Sequence, residues 1–302
     1  KNEEFVPCAV PDSLEVYDLF CGAGGFSAGA RRAGCNVVFA CDSSPEAIQT
    51  HARNHPSTFH YLCELPCPLP LPTDGRPFHL HGSPPCQKFS IVNQTGRVDG
   101  DRDDALALVK WYVDFALASH ATSWSMEQVA AGEVIELLNE MRIAYDVFDF
   151  YKLGVPQHRK RIIAGSPHLI AKLRRVSDTQ VKRSVHSHIL KPRGTHVRGG
   201  RTSKRNNRKH RVAKILPGGK TKLVYPRAEW SDFLKPIDGP APTVIGRHAL
   251  TWITRDGLGL NRSVLRAKEM AALQTFPSMY RWPPNKEKAC IQIGNSVPPR
   301  VA

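Results

Sequence analysis

Short apolar runs alternate with amphipathic stretches over the first 170 residues of the chain. The apolar runs predict buried strands over 15–20, 36–41, 79–82, 123–129 and 145–151. The amphipathic stretches predict one helix that runs through Arg32 and stops at Gly34, and two more over about 45–54 and 103–119. This alternation is typical of an α/β fold with a doubly wound, mostly parallel, Rossmann-like sheet.

The composition changes over residues 172–222, which hold 17 Lys or Arg, 4 His and one acidic residue, Asp178. Gly, Ser, Thr and Asn fill the gaps between the charges. Such a segment is either a disordered basic linker or a surface that faces nucleic acid, and both hold if it becomes ordered on binding. Apolar residues return after Pro226, and 263–275 is predicted to be helical.

The formal net charge of the 302 residues is +15. A surplus of this size favours an acidic partner, with nucleic acid as the first candidate and a plain solvated surface as the alternative. The sequence has no apolar run of about 18 residues, so no membrane partner is expected. It begins without an apolar signal core, so an intracellular location is expected: the nucleus in a eukaryote, the cytoplasm or nucleoid in a prokaryote.

The chain has eight cysteines, which follow no small-scaffold spacing and are expected to be reduced inside a cell. Cys63 and Cys67 form a C-x3-C pair. No second pair of Cys or His follows at zinc-finger spacing, so no metal site is predicted.

The first predicted strand leads into F-C-G-A-G-G-F-S at 20–27. Glycines at 22, 24 and 25 permit a tight turn and let a ligand approach the backbone closely. Asp42 ends the next strand, where an acid can hold ribose hydroxyls. The third glycine of G-x-G-x-x-G and a P-loop Lys are missing, which favours an adenosyl cofactor other than NAD or ATP.

Cys86 follows two prolines in G-S-P-P-C-Q-K-F-S at 82–90. The prolines stiffen the backbone after a strand, and a thiol on such a loop can be activated as a nucleophile. Taken alone, a cysteine of this kind is more often a buried structural residue.

The order of several motifs resembles the C5-cytosine DNA methyltransferase family. These are D-L-F-C-G-A-G-G, P-P-C-Q-x-F-S, a Glu-x-Val strand end, Q-H-R-K-R, R-x-x-L-x-x-x-E, Q-x-F-P and G-N-S-V, between about residue 16 and residue 302. The resemblance implies the fold of the methyltransferases that use S-adenosyl-L-methionine as cofactor. The implied cofactor-binding residues are Phe20, Gly22, Ala23, Gly24, Gly25, Asp42, Ser43, Glu64, Leu65, Pro84, Asn295 and Ser296.

The resemblance also implies the catalytic residues. Cys86 would add to C6 of a cytosine that is flipped out of double-stranded DNA. Glu127 would hold N3 and the exocyclic amine, and Arg161 would bind O2 and offset developing negative charge. Arg159 would support the loop and orient Glu127 or the base.

In such enzymes a variable target-recognition region follows Q-x-R-x-R, which divides this chain into a catalytic and cofactor-binding domain (1–166), a smaller basic target-recognition region (167–261) and a return to the catalytic domain (262–302). The basic residues would bind phosphates, and a few groups would read base edges. The region is short, so a short target site or help from an accessory domain or protein partner is expected. Candidate base-reading residues are Arg198, Arg201 and Arg247.

Two residues depart from the family pattern. Gln128 stands where an Asn usually follows the catalytic Glu, and its extra length is expected to displace the nucleophile loop or slow catalysis. Ser43 stands where a bulky residue often stacks on adenine, which predicts a lower affinity for the cofactor.

Two alternatives stay open. One is a tRNA cytosine-5 methyltransferase of the same fold, although the C-F-T signature of such relatives is missing here. The other is a catalytically silent DNA-binding regulatory relative, which the departures at Gln128 and Ser43 would allow.

Overall fold

The computed structural model describes residues 13–85, 100–179, 183, 222–224, 235–236, 240–246, 251–256 and 259–302. These residues form a seven-stranded sheet and a four-stranded sheet. The first sheet contains Glu15–Leu19 (β1), Asn36–Asp42 (β2), Phe59–Leu62 (β3), Phe78–Gly82 (β4), Ser123–Val129 (β5), Tyr145–Asp149 (β6) and Lys160–Gly165 (β7). The second contains Lys222–Val224 (β8), Lys235–Pro236 (β9), Thr251–Asp256 (β10) and Gly259–Val264 (β11). The described helices are Gly25–Arg32 (α1), Pro45–Asn54 (α2), Gly100–Ala118 (α3), Gly132–Glu140 (α4), Pro167–Thr179 (α5), Ala267–Leu273 (α6) and Lys286–Asn295 (α7).

The seven-stranded sheet has the order β3-β2-β1-β4-β5-β7-β6. The first five strands in this order run parallel, and β7 runs antiparallel to both of its neighbours. This confirms the predicted mostly parallel α/β fold. The strand order reverses at β1, which pairs with β2 on one side and β4 on the other. In open α/β sheets the crevice at the carboxyl ends of two such strands is the usual ligand site.

Helices cover both faces of this sheet because its strands are apolar on both sides. In β1, Val16 packs with the apolar side of α1, whereas Tyr17 and Leu19 pack in the cluster that contains α3 residues such as Val109 and Tyr112. In β7, neighbouring Ile162 and Ile163 likewise enter two different clusters. The sheet is therefore the middle layer of three.

Most predicted elements agree with the observed ones to within a few residues, but two differ. The predicted strand over 145–151 ends at Asp149, whose carboxylate accepts from the Tyr151 amide at 3.2 Å and caps a short 3₁₀ helix, Phe150–Leu153. The prediction of a helix over 263–275 is wrong at its start, because 263–264 belong to β11. The helix begins at Ala267, where the Glu269 carboxylate accepts from the Arg266 amide at 2.7 Å.

Parts of the predicted target-recognition region pack against the first sheet. Leu173 and Val176 of α5 lie against the apolar cluster that includes Ile163. Ala241 and Val244 are buried with residues of α6 and α7. The division of the chain at 166/167 and 261/262 stays a prediction, and most of 172–222 lies outside the described residues.

Within the described part of the chain, no helix has both the length and the apolar character needed to cross a membrane.

Gly82 is the last residue of β4, and a β-carbon there would overlap the ring of Tyr112. Tyr112 is fully buried, and its hydroxyl donates to the Ser125 carbonyl at 2.8 Å. We therefore expect Gly82→Ala to lower the free energy of unfolding by about 1–3 kcal/mol, measured by urea denaturation. Gly132→Ala is the control, since no heavy atom lies within 4 Å of its β-carbon position. Equal stability of the two variants would contradict this packing.

Candidate active site

The turn between β1 and α1 contains several residues with positive φ. Phe20, Gly22 and Gly24 have φ values of 55°, 53° and 89°. At Gly25 the need for glycine is steric, because a β-carbon there would overlap the carbonyl oxygen of Val297. The turn therefore lies directly against the segment that follows α7.

Asp42, the last residue of β2, fixes this turn with its carboxylate. Its Oδ2 accepts from the Gly22 amide at 2.9 Å, and its Oδ1 accepts from the Ser44 amide at 2.8 Å. Burial raises the pKa of Asp42, and these two bonds oppose that rise. Each carboxylate oxygen has a second acceptor site. Asp42 can therefore accept bonds from ligand hydroxyls while it holds the turn.

A cavity of about 340 Å³ lies at the carboxyl ends of β1, β2, β4 and β5. Its volume is within the range of about 300–1,000 Å³ that is typical of cofactor and small-molecule sites. The predicted site residues that line it are Phe20, Gly22, Ala23, Gly25, Asp42, Ser43, Pro84, Glu127, Asn295 and Ser296. The fold thus brings the first and the last sequence motifs to one site.

Three residues predicted to bind the cofactor are not among those that line this cavity. Gly24 precedes α1 and packs against the Tyr280 hydroxyl. Glu64 is exposed in the loop after β3, and Leu65 is buried in the same core cluster as Leu80. Their contacts with a cofactor stay predictions.

The sequence analysis missed several residues that line the cavity. They are Asp18, Cys21, Phe26, Ser44, Ala47, Ser83, Pro85, Ile291, Gln292 and Val297. Cys21 and Val297 adjoin residues of recognised motifs, so the motifs themselves could have indicated them. Gln292 precedes Asn295 by one helical turn, a spacing that places both on one side of α7. Asp18 is signalled by a carboxylate inside an otherwise apolar strand.

Asp18 lies in β1 at the wall of the cavity and is almost completely buried. Burial raises its pKa to about 7, although the Ser27 hydroxyl donates to Oδ2 at 2.6 Å and acts in the opposite direction. The same hydroxyl is 2.9 Å from His51 Nε2. Asp18 is therefore a group that exchanges a proton near neutral pH.

Glu127 and Arg161 form an ion pair between β5 and β7. Arg161 Nε lies 3.1 Å from Glu127 Oε1, and the two side chains are 14% and 8% exposed. Neither of these atoms completes a hydrogen bond with a described residue. Since little solvent screens this pair, its attraction exceeds that of a surface pair. Glu127, which lines the cavity, therefore lies beside the Arg161 cation, which is not among the lining residues, and the contacting carboxylate oxygen is still able to accept a hydrogen bond.

Arg159 is buried beneath the last motif. Its Nη1 donates to the Val244 carbonyl at 3.1 Å, and its Nη2 donates to the carbonyls of Gly294 at 3.1 Å and Ser296 at 3.3 Å. The guanidinium thus joins the segment 240–246 to the end of α7. This agrees with a supporting role, and a direct catalytic role for Arg159 stays a prediction.

Gln128 follows Glu127 and is completely buried. Its Nε2 donates to the Pro84 carbonyl at 3.1 Å, and its Oε1 accepts from the Val129 amide at 2.8 Å. The side chain that was expected to displace the loop therefore makes a bond to the residue two positions before Cys86.

Cys86 lies outside the described residues, as do Arg198, Arg201 and Arg247. The two prolines that lead into Cys86, Pro84 and Pro85, are described and line the cavity. The nucleophile assignment therefore depends on the sequence motif.

The chain resembles known methyltransferases over almost its whole length. It is 27% identical to the Type II methyltransferase M.HgiDI of Herpetosiphon aurantiacus, a match that covers 96% of this chain and 92% of the relative. It is also 27% identical to the Type II methyltransferase M1.HphI of Haemophilus parahaemolyticus, with 96% and 85% covered. A crystal structure described as a DNA modification methyltransferase encoded within a prophage of E. coli aligns with a TM-score of 0.64 at 21% identity and covers 96% of both chains.

Residues 14–116 and 130–302 match the family described as C-5 cytosine-specific DNA methylase. The two matched segments contain the turn after β1, the proline pair, Arg161 and the last motif. Because the match spans most of the chain, this protein belongs to the C-5 cytosine-specific DNA methylase family and is a DNA cytosine-5 methyltransferase.

Proposed function

We propose that this enzyme transfers a methyl group from S-adenosyl-L-methionine to C5 of a cytosine flipped out of double-stranded DNA. The observation that carries the proposal is one cavity that contains the F-C-G-A-G-G turn, Asp42, Pro84 and Glu127. A turn suited to a cofactor and a carboxylate suited to a base edge thus share one space. Such proximity lowers the entropic cost of bringing two reactants together.

The cavity offers groups that suit this cofactor. Asp42 has acceptor sites for ribose hydroxyls, and the β-carbon position of Gly22 has no heavy atom within 4 Å, which leaves open space beside the turn. Asn295 and Ser296 would bind from the opposite wall. When bound, S-adenosyl-L-methionine supplies the electrophilic methyl group. The exposed Ser43 offers no ring for stacking, which supports a low affinity for the adenine.

In the proposed mechanism the Cys86 thiolate adds to C6 of the flipped cytosine and forms a covalent C6–Sγ bond. The electron pair of the C5=C6 bond then makes C5 nucleophilic. Glu127 binds the exocyclic amine and holds the proton shared with N3, while Arg161 binds O2 and offsets the negative charge. The ion pair between Glu127 and Arg161 supports these roles because it holds a carboxylate and a cation side by side at the paired ends of β5 and β7.

After methyl transfer, the C5 proton leaves to a base and its electron pair restores the C5=C6 bond. The C6–Sγ bond breaks, and Cys86 returns to the thiolate. Asp18 lies in the wall of the same cavity.

We propose double-stranded DNA as the substrate, bound by the basic target-recognition region. The 17 Lys or Arg of residues 172–222 would neutralise phosphates and supply affinity that does not depend on base sequence. Base choice then needs groups that reach the grooves, from this region or from an accessory domain or protein partner. The enzyme would act where DNA is kept: the nucleus of a eukaryote or the nucleoid of a prokaryote.

The nucleophile can be tested with duplex DNA that contains 5-fluorocytosine. Fluorine at C5 cannot leave as a proton does, so the covalent adduct should accumulate with the wild type and be absent with Cys86→Ser. Gel shift after denaturation measures the adduct. Cys35→Ser is the control, because Cys35 precedes β2 at the sheet edge opposite the cavity. An adduct that survives Cys86→Ser overturns the assignment, and adduct formation on tRNA but not on DNA would favour the RNA substrate.

Replacing Glu127 with Gln keeps its shape but removes the negative charge and the ability to exchange a proton with N3 of the base. We expect Glu127→Gln to lower kcat by about 10²–10⁴-fold, with little change in DNA affinity. Single-turnover methyl transfer from labelled cofactor measures the loss. Glu140→Gln at the exposed end of α4 serves as the matched control. A loss below tenfold for Glu127→Gln would contradict the proposed role.

Salt should weaken DNA binding steeply. If six to ten phosphates are contacted, affinity falls by about 10³–10⁵-fold between 50 and 200 mM salt. Fluorescence anisotropy with a labelled duplex measures the dissociation constant across this range. A constant that does not change with salt is incompatible with phosphate binding by the basic region.

A further inference from the structure

A buried amide joins the strand that carries Glu127 to the loop that leads into Cys86. The Gln128 side chain donates to the Pro84 carbonyl at 3.1 Å, and Gln128 has no exposed surface. Pro84 is itself buried and lines the same cavity as Glu127. This contact links positions 44 residues apart in the chain, so it is a tertiary restraint and not a local turn.

The extra length of Gln, relative to the Asn usual at this position, is taken up by a bend of the side chain. Gln128 Oε1 accepts from the backbone amide of the next residue, Val129, at 2.8 Å. This bond requires the Gln128 side chain to bend back against its own strand. Both ends of the amide are thus bound, and one orientation is selected. The opposite orientation would place the Gln128 oxygen against the Pro84 oxygen, and two acceptors cannot bond each other.

Gln128 lies next to the Glu127–Arg161 ion pair in β5, so its bond to Pro84 bears on the groups proposed to bind the base. Gln128 is the direct neighbour of Glu127, and Val129 is the register partner of Arg161 in β7. The restraint on Pro84 therefore starts from the end of β5, which carries Glu127 and pairs with the start of β7, which carries Arg161. A nucleophile and a base-binding carboxylate must be placed within fractions of an ångström, and an error of 1 Å can cost about 10²-fold in rate.

We propose that Gln128 is a positioning residue, which fixes the Pro84 carbonyl against β5 and so sets the separation between the Cys86 loop and the Glu127–Arg161 pair. This inference rests on the proposed function and deepens it. Gln128, the residue that departs from the family pattern, thus contacts Pro84 through a bent side chain. A buried amide that only stabilised the core would affect folding and leave the chemical step of the folded enzyme unchanged.

The first test is Gln128→Met, which has nearly the same length and volume and lacks both hydrogen bonds. We expect the rate of adduct formation on 5-fluorocytosine DNA to fall by about 10–100-fold per folded molecule, with KM for DNA and cofactor changed less than threefold. Ser166→Ala is the control, because the buried Ser166 hydroxyl accepts from the Trp124 amide at 3.0 Å near the other end of β5. The control should lose stability and keep its rate.

The second test is Gln128→Glu, which restores the donor only when the side chain is protonated. At high pH the carboxylate faces the Pro84 carbonyl without a proton, and at low pH the carboxylic acid can donate to it. Burial shifts this titration upward. The rate of Gln128→Glu relative to wild type should therefore rise as pH falls, whereas the ratio for Gln128→Met should stay flat.

The outcomes separate the two hypotheses. If wild type forms the adduct but Gln128→Met reacts at the wild-type rate, or slows no more than Ser166→Ala, the positioning role is wrong and the proposed function stands. A pH-independent ratio for folded Gln128→Glu also overturns it. If wild type forms no adduct, the proposed function fails, and this inference fails with it.

Discussion

The cavity depends on one buried cation, Arg159, which lies below the site and does not line it. Its guanidinium bonds the carbonyls of Val244, Gly294 and Ser296, and these belong to parts of the chain 85 to 137 residues away from it. Hydrogen bonds that involve a charged group each contribute about 1.5–3 kcal/mol net. Because the bonds end on backbone carbonyls, they fix the path of the chain at the end of α7. The bonds therefore help to hold the wall that contains Asn295 and Ser296.

The same wall is held from the other side by a close backbone contact. Gly25 lies so near the Val297 carbonyl that any β-carbon would separate α1 from the last motif. Gln274 adds a further restraint, since its amide donates to the Ile293 carbonyl at 2.8 Å. The first and last parts of the described chain therefore pack as one unit beside the cavity.

The antiparallel direction of β7 explains how Glu127 and Arg161 come together. Residues at the carboxyl end of β5 pair with residues at the start of β7, so Val129 lies opposite Arg161. A parallel β7 would place its first residues at the far edge of the sheet, away from Glu127. The reversed strand thus brings the Q-H-R-K-R motif, which contains Arg159 and Arg161, to the edge of the sheet where β4 and β5 end. Arg159 then extends below the cavity, while Arg161 contacts Glu127, which lines the cavity.

The sequence by itself determined the fold class and the family. Periodicity located five of the seven strands of the first sheet because burial on both faces leaves an apolar run that can be read directly. It failed at 263–264, where a strand is followed closely by a helix, and it missed β3, β7, α4 and α5. The motifs indicated the glycine-rich turn after β1, Glu127 and Arg161 because each occurs in a fixed local order. Only the tertiary structure decided which residues line one cavity, that Arg159 binds backbone carbonyls, and that Gln128 holds Pro84. These properties arise from contacts between residues far apart in the chain, and no local pattern records which distant carbonyl a buried side chain will reach.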